Sequence, residues 1–133
     1  MNTVSGSTNP LYLILFSFGF KFGIPEDITM LWDVRFLPNP YWVESLRDRS
    51  GREKDVADYA IGSATGQEFL RLLEPLLVFL VKKSREANRT ELRLAVGCTG
   101  GKHRSVAVVE ALQQILQEQP VELSIFHRDI DKR

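Results

Sequence analysis

Cysteine is nearly absent from this 133-residue chain: Cys98 stands alone, which excludes an internal disulfide and a cysteine-based structural zinc site. Histidine is almost as scarce, with only His103 and His127, so neither a metal site nor any other cofactor is expected. There is no excess of charge of either sign, since 17 basic residues face 17 acidic ones. That removes the global field that draws a protein to nucleic acid or to an anionic membrane, and any anion binding must be local. Long apolar runs are also missing. The stretch from Leu76 to Val81 is too short to span a bilayer and follows Arg71, Glu74 and Pro75. No basic region precedes the first apolar segment and no cleavage site is evident, so a soluble cytoplasmic protein is expected. The phosphate-loop pattern G-x-x-x-x-G-K-[ST] does not occur, nor does an internal repeat.

What the chain does contain is a dense glycine turn, Gly97-Cys98-Thr99-Gly100-Gly101-Lys102-His103-Arg104-Ser105. It follows the apolar alternation of Leu92, Leu94 and Val96 and precedes Val106, Val109, Leu112, Ile115 and Leu116 at helical spacing. A strand, a turn and a helix start in that order offer close backbone approach and free helix N–H groups, which suit an anion. Lys102, His103 and Arg104 in a first helical turn oppose the helix dipole by about 0.3 to 1 kcal/mol per charge, a sign that a bound phosphate or carboxylate reverses. The alternative is a solvated turn whose basic side chains bend away into water.

Residues 1–10 read as a flexible polar lead-in, and residues 11–133 as one domain, large enough to bury about two-thirds of its unfolded surface. Leu11 to Phe16 predicts a buried strand. It runs into Ser17-Phe18-Gly19-Phe20-Lys21-Phe22-Gly23, a loop whose Phe20 and Phe22 either fold over a ligand or tuck into the core edge. Met30 to Phe36 predicts a second strand with Asp33 and Arg35 on one face. Leu37-Pro38-Asn39-Pro40 then enforces a rigid exit in which Asn39 either completes a turn or contacts a ligand. Tyr41 to Arg47 and Val56 to Ile61 predict short helices, the second capped by Asp55. Thr65 and Glu68 form a capping box opening a helix to about Ala87, apolar nearly all round, that lies deep or meets a second subunit. Leu92 to Val96 is the third strand, and Val121 to Phe126 the fourth, delivering His127 at its end.

Strands separated by helices imply an α/β fold: a single domain with a mostly parallel four-stranded sheet, helices on both faces, and an anion-binding turn after the third strand. Ligands collect at the carboxyl edge of such sheets.

The segments 17–23, 33–40 and 97–105, supported by Val56-Ala57-Asp58-Tyr59 and His127-Arg128-Asp129, resemble the C-terminal domain of the RapZ family. The resemblance covers most of the chain after residue 10. It implies a metabolite-sensing regulatory domain that binds an amino-sugar phosphate, glucosamine-6-phosphate, without the N-terminal nucleotide-binding domain of the full family proteins. In that reading the loop from Cys98 to Ser105 holds the phosphate: Thr99, Gly100 and Gly101 present N–H groups while Lys102, His103 and Arg104 neutralise charge. Asp33, Arg35 and Asn39 handle the sugar hydroxyls or amine, with Ser17, Lys21 and His127 at the same edge. The resemblance further implies a regulatory protein or RNA partner. A homo-oligomer is expected, and a membrane partner is not.

A second reading comes from Cys98 and Arg104, whose C-x5-R spacing is also that of cysteine-dependent phosphatases. There a thiolate attacks phosphorus, an arginine clamps the oxygens and an acid, here Asp33, assists. A buried, inert Cys98 is the plain structural alternative.

Overall fold

The computed structural model describes residues 10–132, so the expected lead-in falls, apart from Pro10, outside the described residues. Strands β1 (Tyr12–Gly19), β2 (Met30–Asp33), β3 (Glu91–Cys98) and β4 (Glu122–His127) form one sheet in the order β2-β3-β1-β4, every pair parallel. The helices are α1 (Glu44–Arg47), α2 (Lys54–Ile61), α3 (Ala64–Glu86) and α4 (Arg104–Leu116), with 3-10 turns at Phe20–Phe22 and Pro40–Trp42.

Strand alternation divides the core. Leu11, Leu13 and Leu15 join Leu92, Leu94 and Val96 against Leu73, Leu77 and Val81 of α3 and Val108, Val109, Leu112 and Leu116 of α4. Phe16, Phe18 and Ala95 point the other way and meet Phe20, Ile28 and Leu31. The longer helices therefore gather on one face, and the helices expected on both faces are corrected to one. The physical reason is the connection between β1 and β2. Residues 20–29 are fewer than a crossover with a full helix needs, so they return over the Phe16 face as a 3-10 turn and extended chain. Phe20 settles into the core edge, 4.8 Å from Phe18 in an edge-to-face pair.

Several local expectations shift. β2 ends at Asp33 because the chain turns there, Leu37 N–H donating to the Val34 carbonyl. Asn39 completes a turn, its Oδ1 accepting from the Tyr41 N–H at 3.0 Å, and Tyr41 to Arg47 splits into a 3-10 turn and α1. Helix α3 is capped by Ser63, which accepts from Gly66 N–H at 3.0 Å, and Thr65 lies inside the first turn. Asp55 is a first-turn residue of α2 paired with Arg49 at 2.6 Å, not its cap. Nor does α3 lie deep: Leu72, Leu76 and Phe79 are exposed.

The sheet's carboxyl edge is closed by a buried carboxylate. Asp129, with no solvent exposure, accepts from the Gly19 N–H at 2.7 Å and pairs with Arg128 at 2.8 Å and Lys132 at 2.7 Å. Burial pushes its pKa up, but Arg128, the Gly19 N–H and Lys132 outweigh burial, and the carboxyl titrates below its usual range. A depressed folded-state pKa stabilises above the unfolded value, near 4, and that contribution is lost as pH falls through the folded value. Asp129→Asn is therefore expected to cost about 2 kcal/mol at neutral pH. In denaturant titrations the gap between wild type and variant should shrink below about pH 4; a gap independent of pH would remove the carboxylate's charge from the account.

Candidate functional site

At the carboxyl edge, β1 and β3 run side by side to their ends, Gly19 opposite Cys98. Their connections then part, one over the Phe16 face and the other through α4 on the opposite face. Such a divergence opens a crevice, and the glycine turn lies in it.

The turn is held by close backbone contact. A side chain at Gly19 would lie 2.4 Å from the Gly100 carbonyl carbon, and one at Gly101, whose φ is +74°, would lie 2.6 Å from the Gly19 nitrogen. Lys21 N–H donates to Thr99 O at 3.1 Å. On the other flank Gly51 N–H donates to Lys102 O at 2.9 Å, and a side chain at Gly51 would strike His103 O at 2.2 Å. Gly100 differs: no atom lies within 4 Å of the place its Cβ would take. Among the described residues the N–H groups of Gly100, Gly101, Lys102 and His103 donate to no protein acceptor.

Two of the three basic residues turn inward. Arg104 is only 5% exposed. Its Nη1 donates to the carbonyls of Arg35 at 2.7 Å and Leu37 at 3.4 Å, and its Nη2 to Thr99 Oγ1 at 3.3 Å. Nε is buried without a partner, and no carboxylate pairs with the guanidinium among the described residues. His103 Nε2 donates to Arg47 O at 2.8 Å; burial, then the charges of Lys102 and Arg104, hold its pKa below the ordinary value. It is a neutral tie rather than a cation. Since α4 starts only at Arg104, the opposition to the helix dipole expected of three residues reduces to one.

Around the turn lies a cavity of 580 Å³. Of the residues expected there, Lys21, Asn39, Cys98, Thr99, Gly100, Lys102, His103 and Arg104 line it. Asp33 and Arg35 do not. They bind each other at 2.7 Å, and the Arg35 guanidinium lies 3.9 Å above the Phe20 ring on the face away from the helices. The Asp33 carboxyl is held below its usual range chiefly by the hydrogen bond from Arg35. Ser17 and His127 also stand apart from the cavity, in a buried chain: Ser17 Oγ meets His127 Nδ1 at 2.7 Å, and His127 Nε2 meets Glu110 at 2.7 Å. Gly101 shapes the turn from behind, and buried Ser105 contacts Cys98 Sγ through its Oγ at 3.1 Å and its N–H at 3.4 Å.

Five lining residues were not anticipated from the sequence: Tyr41, Trp42, Arg47, Asp48 and Lys132. The signal for the first two was the aromatic pair directly after the rigid Pro38-Asn39-Pro40; Trp42 is 74% exposed at the rim. Nothing local marks Lys132, which reaches the cavity because Asp129 draws the C-terminal turn against the β1 exit. The cavity thus gathers five cations, Lys21, Arg47, Lys102, Arg104 and Lys132, against one carboxylate, Asp48. Free N–H groups beside that excess of positive charge can hold an anion.

The family model described as the RapZ C-terminal domain matches residues 11–131. A protein of Caldicellulosiruptor saccharolyticus named "Nucleotide-binding protein" is 43% identical over 126 residues, covering 95% of this chain and 43% of the relative. Proteins of the same name from Mycobacterium avium (44% over 131 residues) and Clostridium botulinum (42% over 124 residues) match over 96% and 93% of the chain. The chain spans under half the length of these curated relatives, 44% and 42% of the last two. With a family model matched over nearly its whole length, the chain belongs to the RapZ C-terminal domain family.

Proposed function

We propose that this domain is a metabolite-sensing regulatory module whose cavity binds a phosphorylated amino sugar, glucosamine-6-phosphate, with the phosphate on the glycine turn. The observation that carries the reading is Arg104: a cation 5% exposed, with a buried unpartnered Nε and, among the described residues, no carboxylate in ion-pair contact, Asp33 acting on it only at a distance. A buried uncompensated charge costs several kcal/mol unless an anion joins it. Gly100 supports the same reading, because neither its backbone angle nor a neighbour requires glycine there. A ligand occupying the space of the missing side chain supplies the requirement. Lys21 and Lys102 add charge at the wall, and Trp42 and Tyr41 offer apolar faces to a sugar ring. His103 contributes through its contact to Arg47.

The relatives named as nucleotide-binding are more than twice as long, and this chain contains no phosphate-loop motif. Their nucleotide site is accordingly assigned to sequence they do not share with it. A regulatory protein partner, or a second copy of the chain, would meet the exposed apolar stripe of Leu72, Leu76 and Phe79 on α3. RNA is disfavoured as a partner by the neutral charge balance. Among the described residues no helix is long and apolar enough to cross a membrane, and a cytoplasmic location completes the proposal.

The phosphatase reading gains one point and loses another. Cys98 lines the cavity with its sulfur against Ser105, but Asp33 lies outside, paired with Arg35 and held ionised, so it cannot serve as acid.

The ligand is tested by thermal shift with glucosamine, glucosamine-6-phosphate and glucose-6-phosphate at matched salt. A ligand at 100 times its dissociation constant adds about 2.7 kcal/mol, or several degrees in melting temperature. Glucosamine-6-phosphate is expected to give the largest shift; identical shifts from all three and from sodium phosphate would reduce the cavity to a generic anion site. Gly100→Ala is expected to leave stability unchanged or raise it by up to about 1 kcal/mol, since the added methyl meets nothing. The same methyl should weaken phosphate-ester binding about tenfold by calorimetry, about 1.4 kcal/mol. Undiminished affinity would place the ligand elsewhere. Cys98→Ser should retain binding, and neither form should release phosphate from an aryl phosphate. Turnover in the wild type that disappears in the serine variant would establish the phosphatase instead.

A further inference from the structure

Asp48 is out of place in its surroundings. It is the one acidic residue among those lining the cavity, set among Lys21, Arg47, Lys102, Arg104 and Lys132. A carboxylate in a phosphate site repels the ligand it should hold. Asp48 is exposed to solvent, yet among the described residues none of the five cations lining the cavity pairs with it. Asp48 closes α1 at the carboxyl end, where a negative charge has no favourable interaction with the helix, and its side chain caps nothing. Among the described residues it has no hydrogen bond and no ion pair through its carboxylate. Neighbouring Arg47 is committed elsewhere, its Nε donating to Tyr41 O at 2.8 Å and its guanidinium lying 5.1 Å from the Tyr41 ring centre.

The position of Asp48 is nevertheless built in. Arg47, the residue before it, is tied by its carbonyl to His103, and Gly51, three positions later, is tied by its N–H to Lys102. Asp48 is thereby held at the wall of the same cavity whose floor is the glycine turn. A ligand with an anionic and a cationic end satisfies both features. Asp33, the carboxylate among the residues that the family resemblance assigns to the sugar hydroxyls or amine, is outside the cavity and already paired.

Resting on the amino-sugar phosphate reading above, we infer that Asp48 is the specificity residue: it accepts the ligand's ammonium group while the glycine turn, Lys102 and Arg104 take the phosphate. The hydroxyl analogue then loses a charge-assisted hydrogen bond and meets an unpaired carboxylate.

Calorimetry on the full chain with glucosamine-6-phosphate and glucose-6-phosphate, for wild type, Asp48→Asn and Asp48→Ser, tests this directly. The wild type is expected to prefer the amino sugar about tenfold. Both variants should lose that preference, through weaker binding of glucosamine-6-phosphate and equal or tighter binding of glucose-6-phosphate, with melting temperatures near wild type. A preference that survives in both variants overturns the assignment to Asp48 and leaves the proposed function standing. A wild type that binds neither compound, or both equally, overturns the amino-sugar reading and this assignment with it.

Discussion

The architecture at the carboxyl edge depends on the approach of two backbones, Gly19 against Gly100 and Gly101, at a spacing that no side chain could enter. The contact is secured by the Asp129 carboxylate, which takes the Gly19 N–H and draws Arg128 and Lys132 with it. Because Arg128 also donates to Gly23 O at 2.6 Å, the C-terminal turn fastens the β1 exit at two points. The glycine turn is then pressed between that exit and residues 47–51, its Thr99 and Lys102 carbonyls used up by the two flanks. Among the described residues the N–H groups of residues 100–103 remain unengaged along it, as do the carbonyls of Gly100 and Gly101, and the positive character of the site comes from the five cations around the turn.

Arg104 shows how fold and site share one group. Its guanidinium fastens the Arg35–Leu37 segment to the turn, which orients the rigid exit carrying Asn39, Tyr41 and Trp42. The same buried charge leaves a donor over. Such a group stabilises the loop through hydrogen bonds of about 1.5 to 3 kcal/mol each and at the same time lacks a direct ion pair, a tension that an apolar replacement would not create.

Periodicity made the four strands and the two long helices legible, since Leu13, Leu15, Leu92 and Leu94 alternate and Leu73, Leu77 and Val81 recur at helical spacing. The turn was legible from Gly100 and Gly101 beside basic residues. What could not be read was direction. Asp33 and Arg35 share a face as expected, but whether that face looks toward the turn depends on which side the β1–β2 connection passes. Ser17 and His127 reach the correct edge yet point toward α4, where Glu110, far away in sequence, completes their hydrogen bonds. His103 looked like a cation because nothing local marks its burial, or its tie to the Arg47 carbonyl far away in sequence. Lys132 and Asp48 were invisible for the same reason: long-range hydrogen bonds bring them in.

The two tryptophans occupy opposite situations, and that makes the molecule its own optical instrument. Trp42 stands at the cavity rim, 74% exposed, beside Tyr41 and Arg47, whereas Trp32 packs against the main core from β2. A ligand in the cavity would alter the surroundings of Trp42, and loosening of the sheet those of Trp32. With one of them replaced by phenylalanine, each event can be followed by fluorescence without an added label.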